Sequence, residues 1–110
     1  MVNEEKLEQI MLELGHRDSL LGTAYLRSAV LMYSRGMSIT KELYPAVAAA
    51  FESTPSRVER AMRHSITTAW DRGNQDRQLH FFGYTVSPGR GVPTVHEYIA
   101  RMNRVCSHEN

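Results

Sequence analysis

The feature of this sequence that most constrains its fold is a helical period of apolar residues, which recurs in five segments. In the first segment Leu7, Ile10 and Leu14 are spaced three and four residues apart, so they share one face of an α-helix. Asn3 can cap this helix and Gly15 can end it. Because the other segments show the same period with similar boundaries, the sequence predicts an all-α fold, a compact bundle of five to six helices.

Capping residues, prolines and glycines bound the predicted elements. The elements are helices at residues 3–14, 19 or 20 to 34, 38 or 40 to 51, 56–71 and after Thr94, a possible short helix at 78–82, and a turn at 87–91. Pro45 requires the third helix either to begin there or to bend there. Ser56 is expected to open the fourth helix, with Glu59 completing a capping box. In the polar turn before it, Glu52 occupies the position where helix-turn-helix units often have glycine.

The length and composition limit the class of protein. A chain of 110 residues suits one domain and can bury one modest core without a metal or a disulfide. Its one cysteine, Cys106, excludes an internal disulfide and fits a reducing compartment. The acidic N-terminus does not resemble a secretory signal, and no apolar run is long enough to span a membrane. A cytoplasmic location is therefore expected.

The charge is distributed unevenly along the chain. Residues 1–56 carry five Lys and Arg against seven Asp and Glu, whereas residues 57–110 carry eight Arg, no Lys and five Asp and Glu. Arginine presents a planar set of donors that can contact a phosphate or a guanine edge with two hydrogen bonds. The second half therefore fits a nucleic-acid partner, although an ordinary mixed surface explains the same charges equally well.

Residues 40–72 have the pattern of a helix-turn-helix unit, in which the first helix offers Val47, Ala48 and Phe51 as a packing face. A turn of 100° per residue divides the second helix into two faces. The inner face is apolar or small: Val58, Ala61, Met62, Ser65, Ile66 and Ala69. The outer face is basic or hydrogen-bonding: Ser56, Arg57, Arg60, Arg63, His64 and Thr67. We therefore expect residues 56–71 to form a recognition helix in the major groove of DNA.

Donor and acceptor chemistry assigns roles to these side chains. Arg60 and Arg63 are expected to contact guanine O6 and N7. Glu59, on the border of the two faces, either accepts from cytosine N4 or holds Arg63 in place across one helical turn. The remaining polar residues at the start of the helix and farther along it are expected to contact the DNA backbone. They are Ser53, Thr54, Ser56, Arg57, His64 and Thr67.

Several blocks of sequence are more specific than a helix-turn-helix pattern. They are Tyr44-Pro45, Ser56-Arg-Val-Glu-Arg-Ala-Met-Arg-His64, Ala69-Trp-Asp-Arg-Gly-Asn74, Phe82-Gly-Tyr-Thr-Val-Ser87, Gly22-Thr-Ala-Tyr-Leu-Arg27 and Ser38-Ile-Thr-Lys41. With these blocks the chain, from about Leu7 to Ile99, closely resembles the C-terminal effector domain of the sporulation stage-zero-A response regulators.

The resemblance implies a compact six-helix domain that binds short duplex elements resembling TGTCGAA. It implies that Glu59, Arg60 and Arg63 read bases, because all three stand at matching motif positions. It also implies head-to-tail pairing of protomers on DNA, and contact with an RNA polymerase sigma factor through residues 74–86. Part of that segment, residues 75–80, departs from the family pattern, and so do residues 101–106.

Family members usually carry an N-terminal receiver domain that accepts a phosphoryl group and restrains the effector domain. Residues 1–110 show neither the α/β pattern nor the acidic pocket of a receiver, so we expect one effector domain over this chain. Either the chain is a fragment of a longer protein, or it is a free-standing effector domain that phosphorylation does not gate.

Two other functions fit a similar pattern. One is a helical protein-interaction module that kept the fold without specific DNA binding, and Glu59, Arg60 and Arg63 on the outer face argue against it. The other is single-stranded RNA binding, a weaker alternative because no aromatic platform for base stacking is visible. No catalytic motif and no zinc-like spacing of His and Cys is recognisable, so no enzymatic activity, cofactor or metal is expected.

Overall fold

The computed structural model describes residues 1–83 and 91–107, so the turn predicted at 87–91 and the end of the Phe82–Ser87 block lie largely outside the described residues. Within the described ranges the elements are α1 (Glu4–Leu14), α2 (Leu21–Met32), a π-helical turn (Ile39–Leu43), α3 (Tyr44–Ala50), α4 (Pro55–Arg72), α5 (Gln75–Phe82) and α6 (Val95–Cys106). An isolated antiparallel bridge joins Val2 to Ser107, which brings the two ends of the described chain together. The prediction of an all-α bundle is confirmed.

The first two helices test the predicted boundaries. Asn3 Oδ1 accepts a hydrogen bond from Lys6 N at 3.1 Å, and Gly15 ends α1 with a left-handed φ of 109°. Both boundaries of α1 agree with the prediction. The second helix is shorter than expected: it ends at Met32 rather than at residue 34, because Tyr33 adopts an extended conformation with φ −64° and ψ 136°.

Pro45 explains why the third predicted helix is divided into the π-helical turn and α3. Ser38 caps the π-helical turn, its Oγ accepting from Lys41 N at 3.0 Å. The next bond spans five residues, from Leu43 N to Ser38 O at 3.0 Å. In a regular α-helix a proline ring clashes with the carbonyl four residues earlier, and a wider turn gives that ring room. Pro45 thus lies in the first turn of α3, but the chain is already helical from Ile39, so the structure combines features of both predicted alternatives.

The start of α4 corrects one prediction. The helix begins at Pro55 rather than at Ser56. Thr54 is the capping residue, and its Oγ1 accepts from Arg57 N at 3.3 Å. The expected capping box between Ser56 and Glu59 is therefore wrong, because proline at the first helical position moves the cap back to the residue before it.

Side-chain caps also determine where α5 and α6 begin. Asn74 Oδ1 accepts from Arg77 N at 3.1 Å, so α5 begins at Gln75, three residues before the predicted position. At α6 a reciprocal capping box is present. Thr94 N donates to Glu97 Oε1 at 2.8 Å, and Glu97 N donates to Thr94 Oγ1 at 3.1 Å.

A glycine allows α2 to pack closely against α4. A Cβ at Gly22 would collide with the backbone carbonyl of Ala61 on α4, and it would also lie against the Ser65 side chain. The inner residues Val58 and Met62 of α4 are fully buried. The backbones of α2 and α4 are therefore in close contact, and a side chain at position 22 would prevent this contact.

A buried polar network joins α4 to α2, α6 and the α1–α2 connection. His16 Nδ1 lies 2.9 Å from Ser65 Oγ, and His16 Nε2 lies 2.7 Å from the Tyr98 hydroxyl. Thr23 Oγ1 lies 3.0 Å from Ser65 Oγ. Burial lowers the pKa of His16 to about 4, so the imidazole is neutral near pH 7 and can donate through one nitrogen and accept through the other. Because these groups satisfy one another, they link the helices without leaving a buried polar atom unpaired.

Gln78 connects the C-terminal ends of α1 and α4. Its side chain is buried, and Nε2 donates to Leu14 O and to Ala69 O, both at 3.1 Å. Gly73 permits this close approach, since a Cβ there would collide with Leu14 O. The amide thus satisfies Leu14 O at the end of α1, where intrahelical partners run out. It adds a second hydrogen bond to Ala69 O, which also accepts from Gly73 N at 2.7 Å.

Candidate nucleic-acid interface

The third and fourth helices form a helix-turn-helix through the turn at residues 51–54. Val47 and Ala48 are buried, and α3 packs against α4, as the sequence predicts. Phe51 is different from the prediction: it remains 38% exposed and packs edge-on against Tyr25 of α2, with ring centroids 4.9 Å apart. Phe51 stays partly exposed because it lies at the C-terminal end of α3, where its ring contacts α2.

The turn between these helices contains a left-handed residue that is not glycine. Glu52 has a φ of 53°, which is the conformation that a glycine at this position would adopt easily. Ser53 N donates to Ala48 O at 2.8 Å and closes the turn. The turn therefore keeps the geometry of a helix-turn-helix with Glu52 in place of the usual glycine.

The two faces of α4 agree with the prediction. The residues buried on its inner face are Val58, Met62, Ser65, Ile66 and Ala69. Ala61 is half-buried beside Gly22. The residues exposed on its outer face are Ser56, Arg57, Arg60, Arg63, His64 and Thr67. At 1.5 Å per residue the outer face extends about 16 Å along the helix.

Glu59 and Arg63 form an ion pair at the edge of the outer face. Glu59 Oε1 lies 3.3 Å from Arg63 Nη2, and the two side chains are 31% and 61% exposed. A surface pair of this kind contributes roughly 0.3–0.5 kcal/mol, so a ligand can displace it at little cost. No carboxylate of residues 1–83 and 91–107 forms an ion pair with Arg57 or Arg60.

The predicted backbone contacts lie in two groups. The group at the N-terminal end of α4 consists of Ser53, Thr54, Ser56 and Arg57. Of these, Ser53 is half-buried, and Thr54 already uses its oxygen as the helix cap. The second group is His64 and Thr67, two and three turns along the helix. Thr67 Oγ1 donates to Arg63 O at 3.0 Å, so its hydroxyl proton is engaged within α4.

A groove of about 600 Å³ beside the outer face was not predicted from the sequence. Glu59, Arg63 and Thr67 line it from α4, while Thr94 and His96 line it from the start of α6. Sequence reasoning could not find it, because its walls come from segments about thirty residues apart that meet only when the helices pack.

Tyr44, from the Tyr44-Pro45 block, also lines this groove. The ring is 6% exposed and lies edge-on to His96, with centroids 5.9 Å apart. The pKa of Tyr44 is raised to about 12, mainly by burial and also by the charge of Glu59, while the charge of Arg63 opposes the rise. Tyr44 therefore keeps its proton at neutral pH and lies within the field of both side chains.

The amino-acid sequence of nearly the whole chain matches a known family. A family model described as "Sporulation initiation factor Spo0A C terminal" matches residues 7–105. The chain belongs to this family. The match confirms the resemblance found in the sequence blocks.

The Spo0A C-terminal family consists of DNA-binding effector domains of sporulation response regulators, and it is not an enzyme family. The chain is thus a DNA-binding regulator domain. The exposed face of α4 carries Arg57, Arg60 and Arg63. None of the helices in the described residues is long and apolar enough to cross a membrane.

Proposed function

We propose that the chain regulates transcription by sequence-specific binding to duplex DNA, with α4 in the major groove of a box resembling TGTCGAA. The observation that carries this proposal is the division of α4 into a buried face and an exposed face of arginines and hydroxyls, in a member of the Spo0A C-terminal family. An α-helix with its side chains is about as wide as the major groove. Residues 1–110 act as one effector domain in this proposal.

Three side chains of α4 read bases. Arg60 and Arg63 donate to O6 and N7 of guanines, and each such pair discriminates against a wrong base by about 1–3 kcal/mol. Glu59 accepts from cytosine N4, and its contact with Arg63 at 3.3 Å limits the positions that the guanidinium can take. The exposure of Arg60 and its lack of an ion pair with any carboxylate of the described residues support its role.

The backbone contacts orient α4 on the duplex. Ser53, Thr54, Ser56 and Arg57 contact phosphates at its N-terminal end, where free backbone N–H groups also favour an anion. His64 and Thr67 contact the backbone farther along. Thr67 must exchange its bond to Arg63 O for one to a phosphate, so we expect it to contribute least.

Partners other than DNA are also part of the proposal. Residues 74–86 contact an RNA polymerase sigma factor; residues 74–83 include α5 with Leu79 63% exposed, and 84–86 lie outside the described residues. Two protomers bind neighbouring boxes head to tail. The domain works in the cytoplasm, where DNA and polymerase are both present.

Fluorescence anisotropy with two duplexes tests the proposed function. One duplex carries TGTCGAA and the other carries the same bases in scrambled order, at about 150 mM salt. We expect a preference for the box of at least ~10³-fold. Affinity for both duplexes should fall steeply with salt, because phosphate contacts release counterions. Equal and weak binding to both would contradict recognition of this box, and would mean either that another sequence is read or that protein contacts are the function of this face.

A further inference from the structure

We propose that the groove between α4 and the start of α6 holds the sugar-phosphate backbone of one DNA strand, with His96 as a phosphate contact. This inference rests on the proposed function, since it takes α4 as the helix in the major groove. It adds a contact from outside the helix-turn-helix, because none of the backbone contacts predicted from the sequence lies on α6.

The position of the groove relative to α4 is the first argument. A helix in the major groove has one DNA strand along each of its edges. Arg57 and His64 serve one edge of α4. Glu59 and Arg63 lie on the other edge, and both line the groove. Around the helix axis, Glu59 is about 160° from Arg57. The second strand therefore passes the groove, on the side that α6 borders.

The chemistry of the lining is the second argument. His96 is exposed, and an imidazole has an N–H that can donate to a phosphate oxygen in either protonation state. Thr40 and Thr94 add hydroxyls to the same groove. Thr94 Oγ1 accepts from Glu97 N as the helix cap, so its O–H hydrogen remains for another acceptor.

Two carboxylates, Glu59 in the groove and Glu97 bonded to Thr94, are the acidic groups that a phosphate there would approach. The Glu59 carboxylate is paired with Arg63 at 3.3 Å. Glu97, on α6, is half-buried and accepts from Thr94 N at 2.8 Å. Glu59 and Arg63 both line the groove, so together they add no net charge to it, and Glu97 directs its carboxylate to the backbone at the start of α6.

Tyr44 orients His96 before any ligand arrives. The Tyr44 ring is 6% exposed and holds the edge-to-face contact with His96, with centroids 5.9 Å apart. A side chain that is already oriented loses less conformational entropy when it binds. His96 is therefore a better contact than an exposed histidine on an unsupported helix face.

A lysine substitution tests the contact by adding charge without removing a core residue. His96→Lys should raise the affinity for both duplexes by a similar factor, and it should steepen the slope of log K against log salt by about 0.9. The ratio of affinities at about 100 and 200 mM salt should then grow by about a factor of two. The matched control is His80→Lys, at an exposed histidine of α5, which packs on α1; it should leave the slope near its wild-type value.

Methylphosphonates, which replace a charged phosphate by a neutral group, locate the His96 contact on the DNA. In a series of TGTCGAA duplexes, each with one methylphosphonate, the wild-type chain should lose affinity at a phosphate beside the box. His96→Ala should lose nothing further at that phosphate, because the two changes remove the same contact. His96→Phe keeps a ring against Tyr44 and should behave as His96→Ala does. If His96→Phe bound DNA as the wild type does, the ring would serve only packing, and the proposal would be overturned.

The outcomes separate this inference from the proposed function. If the wild-type chain does not prefer the box over the scrambled duplex, the proposed function fails and the groove contact fails with it. If the wild type prefers the box but His96→Lys gives the same slope as His80→Lys, only the groove contact fails.

Discussion

Substitution of Arg60 tests whether a single side chain reads a base. It is exposed on the outer face of α4, and none of the ion pairs among the described residues includes it. Arg60→Ala should weaken binding to the TGTCGAA duplex by about 1–3 kcal/mol and binding to the scrambled duplex by much less, since a bidentate guanine contact exists only on the box. Anisotropy titrations of both duplexes measure this difference.

Arg57 is the matched control for Arg60, since both are exposed arginines of the same helix. Arg57→Ala should weaken both duplexes by a similar factor and reduce the salt slope by about 1, because it removes a phosphate contact. If Arg60→Ala gave the same pattern as Arg57→Ala, Arg60 would contact phosphate and would not read a base.

The outer residues of α4 could be predicted because burial of one face forces side chains to follow the helical period. The neighbours of these residues could not be predicted in the same way. Tyr44 and His96 meet Glu59 and Arg63 only through the packing of α3 and α6 on α4, which no local pattern encodes.

Among the structural elements, the turn between α3 and α4 holds strain at one residue. The φ of 53° at Glu52 costs a residue with a Cβ about 1–2 kcal/mol and costs glycine little. Glu52→Gly should therefore raise the free energy of unfolding, by up to about 1 kcal/mol once the greater freedom of glycine in the unfolded chain is subtracted. Urea unfolding measures the change. Ser53→Gly, at a residue without a positive φ, should lower stability, and a loss for both variants would mean that the Glu52 side chain outweighs its strain.

The contact between α2 and α4 gives two opposite expectations for Gly22→Ala. Helix propensity alone favours alanine by up to about 1 kcal/mol. The collision of a Cβ with the Ala61 carbonyl predicts the reverse, a loss of about 1–3 kcal/mol. We expect a lower melting temperature in thermal unfolding. A higher one would show that α2 can move away from α4 without loss.

Local capping made the boundaries of α1 predictable from the sequence, as Asn3 and Gly15 show. It was not sufficient elsewhere: Thr54 caps α4 and Asn74 caps α5, whereas the sequence predicted starts at Ser56 and at residue 78. In α5, Gln78 is also satisfied by carbonyls of α1 and α4, a contact that no local pattern encodes. At Pro45 the sequence left two alternatives, because a π-helical turn has no simple local signature.

In the whole molecule, contacts from several helices hold α4 in one position. Gly22 brings α2 against it, the His16 network links it to α6, and Gln78 fixes its C-terminal end. Sequence-specific reading requires side chains held within about half an ångström of their productive positions. The core thus fixes the outer face relative to the start of α6, as the proposed reading of bases requires.

His16 makes the stability of this arrangement depend on pH. Burial lowers its pKa to about 4 from an ordinary 6.5, so between these values the unfolded chain binds a proton that the folded chain does not. The contribution of neutral His16 is complete above about pH 6.5 and falls with pH, by about 2 kcal/mol between pH 7.5 and pH 5. The pKa of Glu13, lowered by hydrogen bonds from Gln9 and Arg77, adds a separate loss at more acid pH.

Urea unfolding at a series of pH values measures this dependence in the intact chain. His16→Gln should be less stable than wild type near pH 7.5, because the bonds to Ser65 and Tyr98 are disturbed, yet it should lose less stability on acidification to about pH 5. His80→Gln, at an exposed histidine, should keep the wild-type loss. If His16→Gln lost as much stability as wild type over this range, another group would carry the pH dependence, and burial of a neutral His16 would not be its cause.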